Sequence, residues 1–401
     1  MKEYRIDQQS ILDLVRGKVS EVINEPEYNW NDRFKSFRAD DDGPPTVRVG
    51  IVNCSLDADI WEGLRTPAHV GMHPLGPEDI WRHYACMTVK TTRDDGSSNP
   101  LAMPETFTDA KKQYRRFVIL IGMLAVNPQV YRTYGEKIAR GDQDPFDYYS
   151  RSSADVNAII NKAMGKAALA LMTPGRVVVP MTEKVTGAII ERTRPEYLTG
   201  RYHGPCNDHW PGNSIAVMAG LLRFGVNRIP FRDEVGANGE TFRLFGRYRS
   251  IVLFDKEPPV ADNTGGIVPV DSHRLMRLMR INDYTDVDPS IVSQRYCTYN
   301  TVDTGGRSIC GKCLDACPSG ALRNSSASSG GALDKHLAEQ KHRFWGDALD
   351  FDHANCVRER GQKGQLYDDY VCARCEAICA SQGIRKPASV IREINSIVAQ
   401  P

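Results

Sequence analysis

No stretch of the 401-residue chain approaches the ~20 consecutive apolar residues a membrane helix requires. The longest apolar run, Phe117 to Val126, has the length of a strand. The N-terminus, MKEYRIDQQSILDLVRGKVSEVI, lacks both the apolar core and the twin arginine of an export signal. Net charge is lacking too: at +1 there is no global electrostatic case for nucleic acid, only room for a local basic patch. No internal repeat occurs apart from two cysteine runs. A hydrophobic fraction of 41% and a charged fraction of 25% are ordinary for a soluble globular protein. The length suits one large domain with an appendage, or two domains.

Cysteine is what the chain has. Seven of the eleven cysteines lie between 310 and 379. They include Cys310-Gly-Lys-Cys313-Leu-Asp-Ala-Cys317-Pro318 and, about sixty residues later, Cys372-Ala-Arg-Cys375-Glu-Ala-Ile-Cys379. Such clustering without an export signal predicts metal ligation in a reducing cytoplasm rather than disulfides. Zinc also takes paired cysteines, but its sites lack the third cysteine and the Cys-Pro. Two C-x2-C-x3-C runs therefore point to iron–sulfur clusters.

The two-cluster ferredoxin pattern is C-x2-C-x2-C-x3-C-P, and its last cysteine crosses to the other cluster. Laid over the first run, its opening ligand falls on Arg307; in the second run Ala380 replaces the proline. The crossover rule assigns Cys317, Cys356, Cys372 and Cys375 to one complete 4Fe-4S site. The other site receives Cys310, Cys313 and Cys379, with Cys297 the nearest fourth thiol; failing that, it is a three-iron cluster or takes a non-cysteine ligand. Cys54, Cys86 and Cys206 read as ordinary buried thiols.

Upstream, the sequence alternates helices and strands. An amphipathic helix is expected on Ile11, Leu12, Leu14, Val15, Val19 and Val22, and a strand at Thr46 to Asn53. Phe117 to Val126 suits a strand buried on both faces. Helices follow at Ala154 to Met172 and Thr182 to Arg192, with a short strand at Val177 to Val179 between them. The densest polar patch, Arg194 to Asn213, holds Tyr202, His203, Asp208, His209 and Trp210. A small-residue helix, Ser214 to Leu222, comes next, with Asn213 its expected cap. Ala216, Ala219 and Gly220 allow it close contact with a backbone or a flat ligand. The strand RSIVLFD ends at Asp255, and Ser325 to Gly331 reads as a flexible insertion. The alternation indicates an α/β or α+β fold.

Residues 200–385 resemble the corrinoid-dependent iron–sulfur reductases, the family of reductive dehalogenases and epoxyqueuosine reductases. The order of the first cysteine run, the lone Cys356 and the second run is that family's order. Asp208-His-Trp-Pro211 followed by Ala216, Ala219, Gly220 and Leu221 is similar to the D-x-x-P…A-x-x-A-G-L segment of the epoxyqueuosine branch. Trp345 ahead of Cys356 is similar to the dehalogenase branch. The resemblance implies an α+β chain: a nitroreductase-like α/β cobalamin domain, then a ferredoxin-like domain with two clusters. The expected division is 1–110, of uncertain fold; 111–289, for substrate and corrin; and 290–401, for the clusters.

The activity implied is a reductive dehalogenase-like reduction of a small organic substrate. Electrons would come from a ferredoxin- or flavodoxin-type donor and pass through the clusters to cobalt. Asp208 is the first candidate for proton donor, then Tyr202, then His203 and His209; Trp210, Ala216, Ala219 and Gly220 are candidates for corrin contact. Arg201, Arg223 and Arg228 could meet a halide, a carboxylate or a corrin amide. Two alternatives stand beside this: an epoxyqueuosine reductase-like enzyme, disfavoured by the neutral charge that tRNA binding would not use, and an electron-transfer subunit without corrin. A homodimer is compatible with either.

Overall fold

The structure is a computed structural model that describes residues 6–26, 46–54, 56, 75–87, 106–114, 116–141, 146–173, 175–182, 185–186, 188–189, 210, 212–225, 229–256, 296–298, 304, 309–318, 320 and 373–399. The three-and-four spacing of Ile11, Leu14, Val15, Val19 and Val22 makes one stripe of helix α1 (Gln8–Ile23), and all five are buried. Leu12 packs at the edge of the same core. Asp7 caps α1, its carboxylate accepting the Ser10 amide at 2.9 Å.

Strand β1 (Val47–Cys54) follows, then helices α2 (Pro77–Met87) and α3 (Phe107–Gln113). The apolar run forms β2 (Arg116–Ala125), and helices α4 (Pro128–Ala139) and α5 (Phe146–Leu171) come after it. Helix α5 starts eight residues before its expected beginning at Ala154. Next are β3 (Arg176–Met181), α6 (Gly212–Met218), and strands β4 (Arg223–Phe224), β5 (Pro230–Val235), β6 (Thr241–Leu244) and β7 (Gly246–Asp255). The last helices among the described residues are α7 (Lys312–Asp315), α8 (Arg374–Gln382) and α9 (Ala388–Ala399). In the expected helix at Thr182 to Arg192, Thr182, 185–186 and 188–189 are described; 185–186 and 188–189 are helical and Thr182 is not. The insertion at Ser325 to Gly331 lies outside the described residues.

The main sheet runs β1-β2-β7-β3, antiparallel at every pairing. Strand β2 lies inside it and is covered on both faces. Phe117, Ile119, Ile121, Met123 and Ala125 enter one core with Trp81, Tyr114 and Phe254. Val118, Leu120 and Leu124 enter the other, with α1 and α5. Alternate side chains of a strand point to opposite faces, so a strand with helices over both must be apolar throughout. The first core is aromatic at its centre: the rings of Trp81 and Phe117 each lie 5.1 Å from that of Phe254.

The second core also takes in Tyr296, Ala377, Cys379 and Ile394. It thus draws side chains from all three of the regions expected to divide at 110 and 290. Helix α8 lies on α4, where Gly135 allows the approach: a Cβ there would sit 2.6 Å from the Ala377 carbonyl oxygen. Tyr131 of α4 donates to Glu376 of α8 at 3.0 Å within this contact. Among the described residues no helix is long and apolar enough to cross a membrane.

Candidate metal centre

The hairpin of β5 and β6 forms one wall of a cavity beside the second core. Asn-Gly pairs favour tight hairpin turns, and Asn238-Gly239 sits at the tip, with Gly239 at φ +82°. The register then sets Asp233 directly opposite Arg243. Both are buried, and the pair is bidentate: Nε to Oδ1 at 2.6 Å and Nη2 to Oδ2 at 2.8 Å. The third guanidinium nitrogen, Nη1, donates to Cys379 Sγ at 2.8 Å. The Phe231 ring lies 4.0 Å from the guanidinium carbon.

Cys297 is fixed by its two neighbours. Tyr296 is buried and donates its hydroxyl to Asn395 Oδ1 of α9 at 2.5 Å. Thr298 Oγ1 donates to the Ile384 carbonyl at 2.8 Å. Cys313 is held on the single turn of α7, closed by the Leu314 amide on Gly311 oxygen at 2.8 Å, and packs against Cys297 and Cys375. Cys375 and Cys379 stand one turn apart on α8. Ala373, ahead of that helix, has φ +35°, a left-handed conformation that costs a non-glycine residue about 1 kcal/mol or more.

Cys297, Cys310, Cys313 and Cys379 line this one cavity together with Arg243 and Thr298. They are the three thiols that the crossover rule leaves to the other site, joined by Cys297, the nearest candidate for its fourth. The cysteines with described side chains form no disulfide. Burial first, then the neighbouring Cys379, Cys297 and Cys310, push the Cys313 thiol well above its ordinary value. Burial likewise pushes Cys379 up to about 11, with Arg243 working against it. The Arg243 charge is secure: burial opposes it, but Cys379 and Asp233 outweigh that and hold its pKa well above the ordinary arginine range. Crowded, desolvated thiols of this kind become thiolates when a bound cation supplies the opposing charge.

The donor chemistry fits an iron–sulfur cluster, since all four candidate ligands are sulfur. Among the described residues no three His, Cys, Asp or Glu groups gather closely enough to hold a single metal ion. The four thiols line the walls of one cavity, and a four-iron cluster carries its thiolates at separate corners. Of the other set, Cys317 follows α7, where its amide donates to Leu314 oxygen at 3.2 Å, and Cys375 is on α8. Cys356 and Cys372 lie outside the described residues, as do Arg307, Tyr202, His203, Asp208 and His209.

The four residues expected against a corrin have other surroundings here. Ala216 is fully buried in the first core. Ala219 meets the sheet: a Cβ on Gly50 of β1 would come within 2.6 Å of the Ala219 Cβ. Gly220, at φ +73°, ends α6 with the Leu221 amide on Ala216 oxygen and its own amide on Val217 oxygen, each at 3.0 Å. Close packing at Ala219 is thus directed at the sheet, and the turn at Gly220 stops the helix short of Leu222. Trp210 is also in the core, but its buried indole N–H has no hydrogen-bond partner among the described residues. Asn213 lies inside α6 rather than capping it, because the helix starts at Gly212. Arg223 is buried and braces the turn, donating to the Val217 and Leu222 carbonyls at 3.3 and 2.8 Å.

Arg243 and Asp233 were not foreseen as site residues. Asn238-Gly239 signals the hairpin that makes them opposite, but no local pattern signals their approach to Cys379. Comparison with protein-family models, curated proteins and solved structures finds no match to this chain.

Proposed function

We propose that the protein is an iron–sulfur oxidoreductase that delivers electrons, by way of two clusters, to a bound cobalamin and a small organic substrate. The observation carrying this reading is the convergence of Cys297, Cys310, Cys313 and Cys379 on one cavity. In it, Cys297 is the fourth thiolate, so the second cluster has four irons and no non-cysteine ligand. Cys317, Cys356, Cys372 and Cys375 hold the first. When bound, the clusters carry single electrons and the corrin supplies a strongly reducing cobalt.

The chain's own residues do the rest. Arg243 and Asp233 hold Cys379 in place, and the anchors on Tyr296 and Thr298 fix Cys297 between them. The Trp210 N–H, without a partner among the described residues, is a donor that a corrin amide would satisfy. Asp208, ahead of Tyr202, His203 and His209, supplies the proton; a neighbouring apolar surface would raise its pKa enough to hold one near neutrality. A second reading, electron transfer without corrin, is favoured by the burial of Ala216 and the use of Ala219 for sheet packing.

Anaerobic reconstitution of the full chain with ferrous iron and sulfide, with and without cobalamin, tests both. Broad iron–sulfur absorption plus corrin bands that survive desalting supports the reductase. Iron–sulfur absorption alone selects electron transfer, and neither band overturns the reading. Iron analysis should give about eight atoms per chain, and about seven in Cys297→Ala with the electron paramagnetic resonance of a three-iron cluster. With cobalamin retained, Asp208→Asn should keep the corrin bands and lose turnover.

A further inference from the structure

Ligation by four thiols does not require the buried guanidinium that touches one of them. Arg243 is 2% exposed and Asp233 is fully buried, and the hairpin register holds them opposite each other. The fork is used in full, two nitrogens on the carboxylate and Nη1 on Cys379 Sγ. Room for it is kept by Gly383, where a Cβ would stand 2.9 Å from Nη1. A charged donor is thus fixed on sulfur, away from water, by a partner that does not itself contact the cluster cavity.

We infer that Arg243, oriented by Asp233, is a positioning residue that raises the reduction potential of the Cys297/Cys310/Cys313/Cys379 cluster through its hydrogen bond to Cys379, an inference that rests on the cluster reading above. Reduction adds negative charge, part of which reaches the thiolate sulfurs. A donor on sulfur stabilises the reduced state more than the oxidised one, and hydrogen bonds to sulfur are among the features that set cluster potentials. The low local dielectric strengthens the effect. Asp233 acts in the opposite sense, since its negative charge offsets part of the guanidinium's field while keeping it aimed. The two residues should therefore move one cluster in opposite directions and leave the other alone.

The test is a potentiometric titration of the anaerobically reconstituted full chain, followed by electron paramagnetic resonance. Arg243→Gln should lower the midpoint potential of one cluster, Arg243→Lys should lower it less, and Asp233→Asn should raise it. The Cys317/Cys356/Cys372/Cys375 cluster should titrate as in wild type throughout. If Arg243→Gln fails to retain iron, the opposite signs of Arg243→Lys and Asp233→Asn still decide. Midpoints unchanged in these variants, or both clusters shifting together, would overturn the role of Arg243 while leaving the clusters in place. A wild type that assembles no cluster would overturn both.

Discussion

Strand β2 gives eight of its ten residues to the two cores on either side of one sheet, whereas the cysteine cavity takes its walls from stretches scattered between Gly225 and Gly383. The first region is held by area removed from water, a non-directional force that many side chains share. The second is held by a few directional contacts: the Asp233–Arg243–Cys379 chain, Tyr296 on Asn395, and Thr298 on the Ile384 carbonyl. The difference is one of tolerance. Damage to the core should lower the stability of the whole chain, while damage to the cavity should stay local and appear in what it binds.

The largest effect should come from the aromatic centre of the first core. Phe254 is fully buried against Trp81 and Phe117. Phe254→Ala should cost about 3–5 kcal/mol of unfolding free energy, read from the urea midpoint. A loss under about 1 kcal/mol would break the comparison, because the sheet would not then depend on this packing.

Next is Gly50, where a Cβ would lie 2.6 Å from that of Ala219. Gly50→Ala should destabilise by about 1–3 kcal/mol through overpacking. Ala219→Gly in the same chain should restore part of it, because the Ala219 carbonyl oxygen and Leu221 Cγ, each 3.0 Å from the added Cβ, remain. A Gly50→Ala chain as stable as wild type would mean that the segment after α6 does not press on β1, and would return Ala219 to the role of facing a flat ligand.

The core was legible in the sequence because it obeys short periods. The stripe from Ile11 to Val22 gives α1, and the unbroken run from Phe117 to Val126 gives a strand covered on both faces. Strand direction was not legible, since double burial reads alike in parallel and antiparallel sheets. The cysteine spacing, with the crossover rule, named Cys310, Cys313 and Cys379 and reached back to Cys297 as a fourth. What spacing could not carry was Arg243 and Asp233. Their role depends on hairpin register and on docking of α8, which are long-range facts. Ala216, Ala219 and Gly220 carried the opposite lesson: small residues permit close contact without saying with what, and the partner of Ala219 here is Gly50 of the sheet.

A smaller effect is expected beside Cys297. Thr298→Val removes the hydrogen bond to the Ile384 carbonyl and should cost about 0.5–1.5 kcal/mol. The urea midpoint should fall by well under the shift of Phe254→Ala, and iron retained after reconstitution should fall. A fall in stability as large as that of Phe254→Ala would erase the distinction between the two regions.

The smallest effect belongs to the edge of the second core, where Glu25 joins α1 to α5. Its carboxylate meets Lys162 at 2.5 Å and Lys166 at 2.6 Å. The hydrogen bond from Lys162, then that from Lys166, holds the Glu25 pKa below its usual value. A depressed carboxylate pKa contributes stability that is complete above the unfolded-state value, about 4.3, and is lost as pH falls through the folded value. Glu25→Gln should therefore lower the urea midpoint slightly at pH near 7, and the gap from wild type should close at about pH 3. Added salt should shrink the neutral-pH gap as well, because the pair is open to solvent. A gap that persists in acid would assign the tie between α1 and α5 to apolar packing alone, extending the behaviour of the core to its rim.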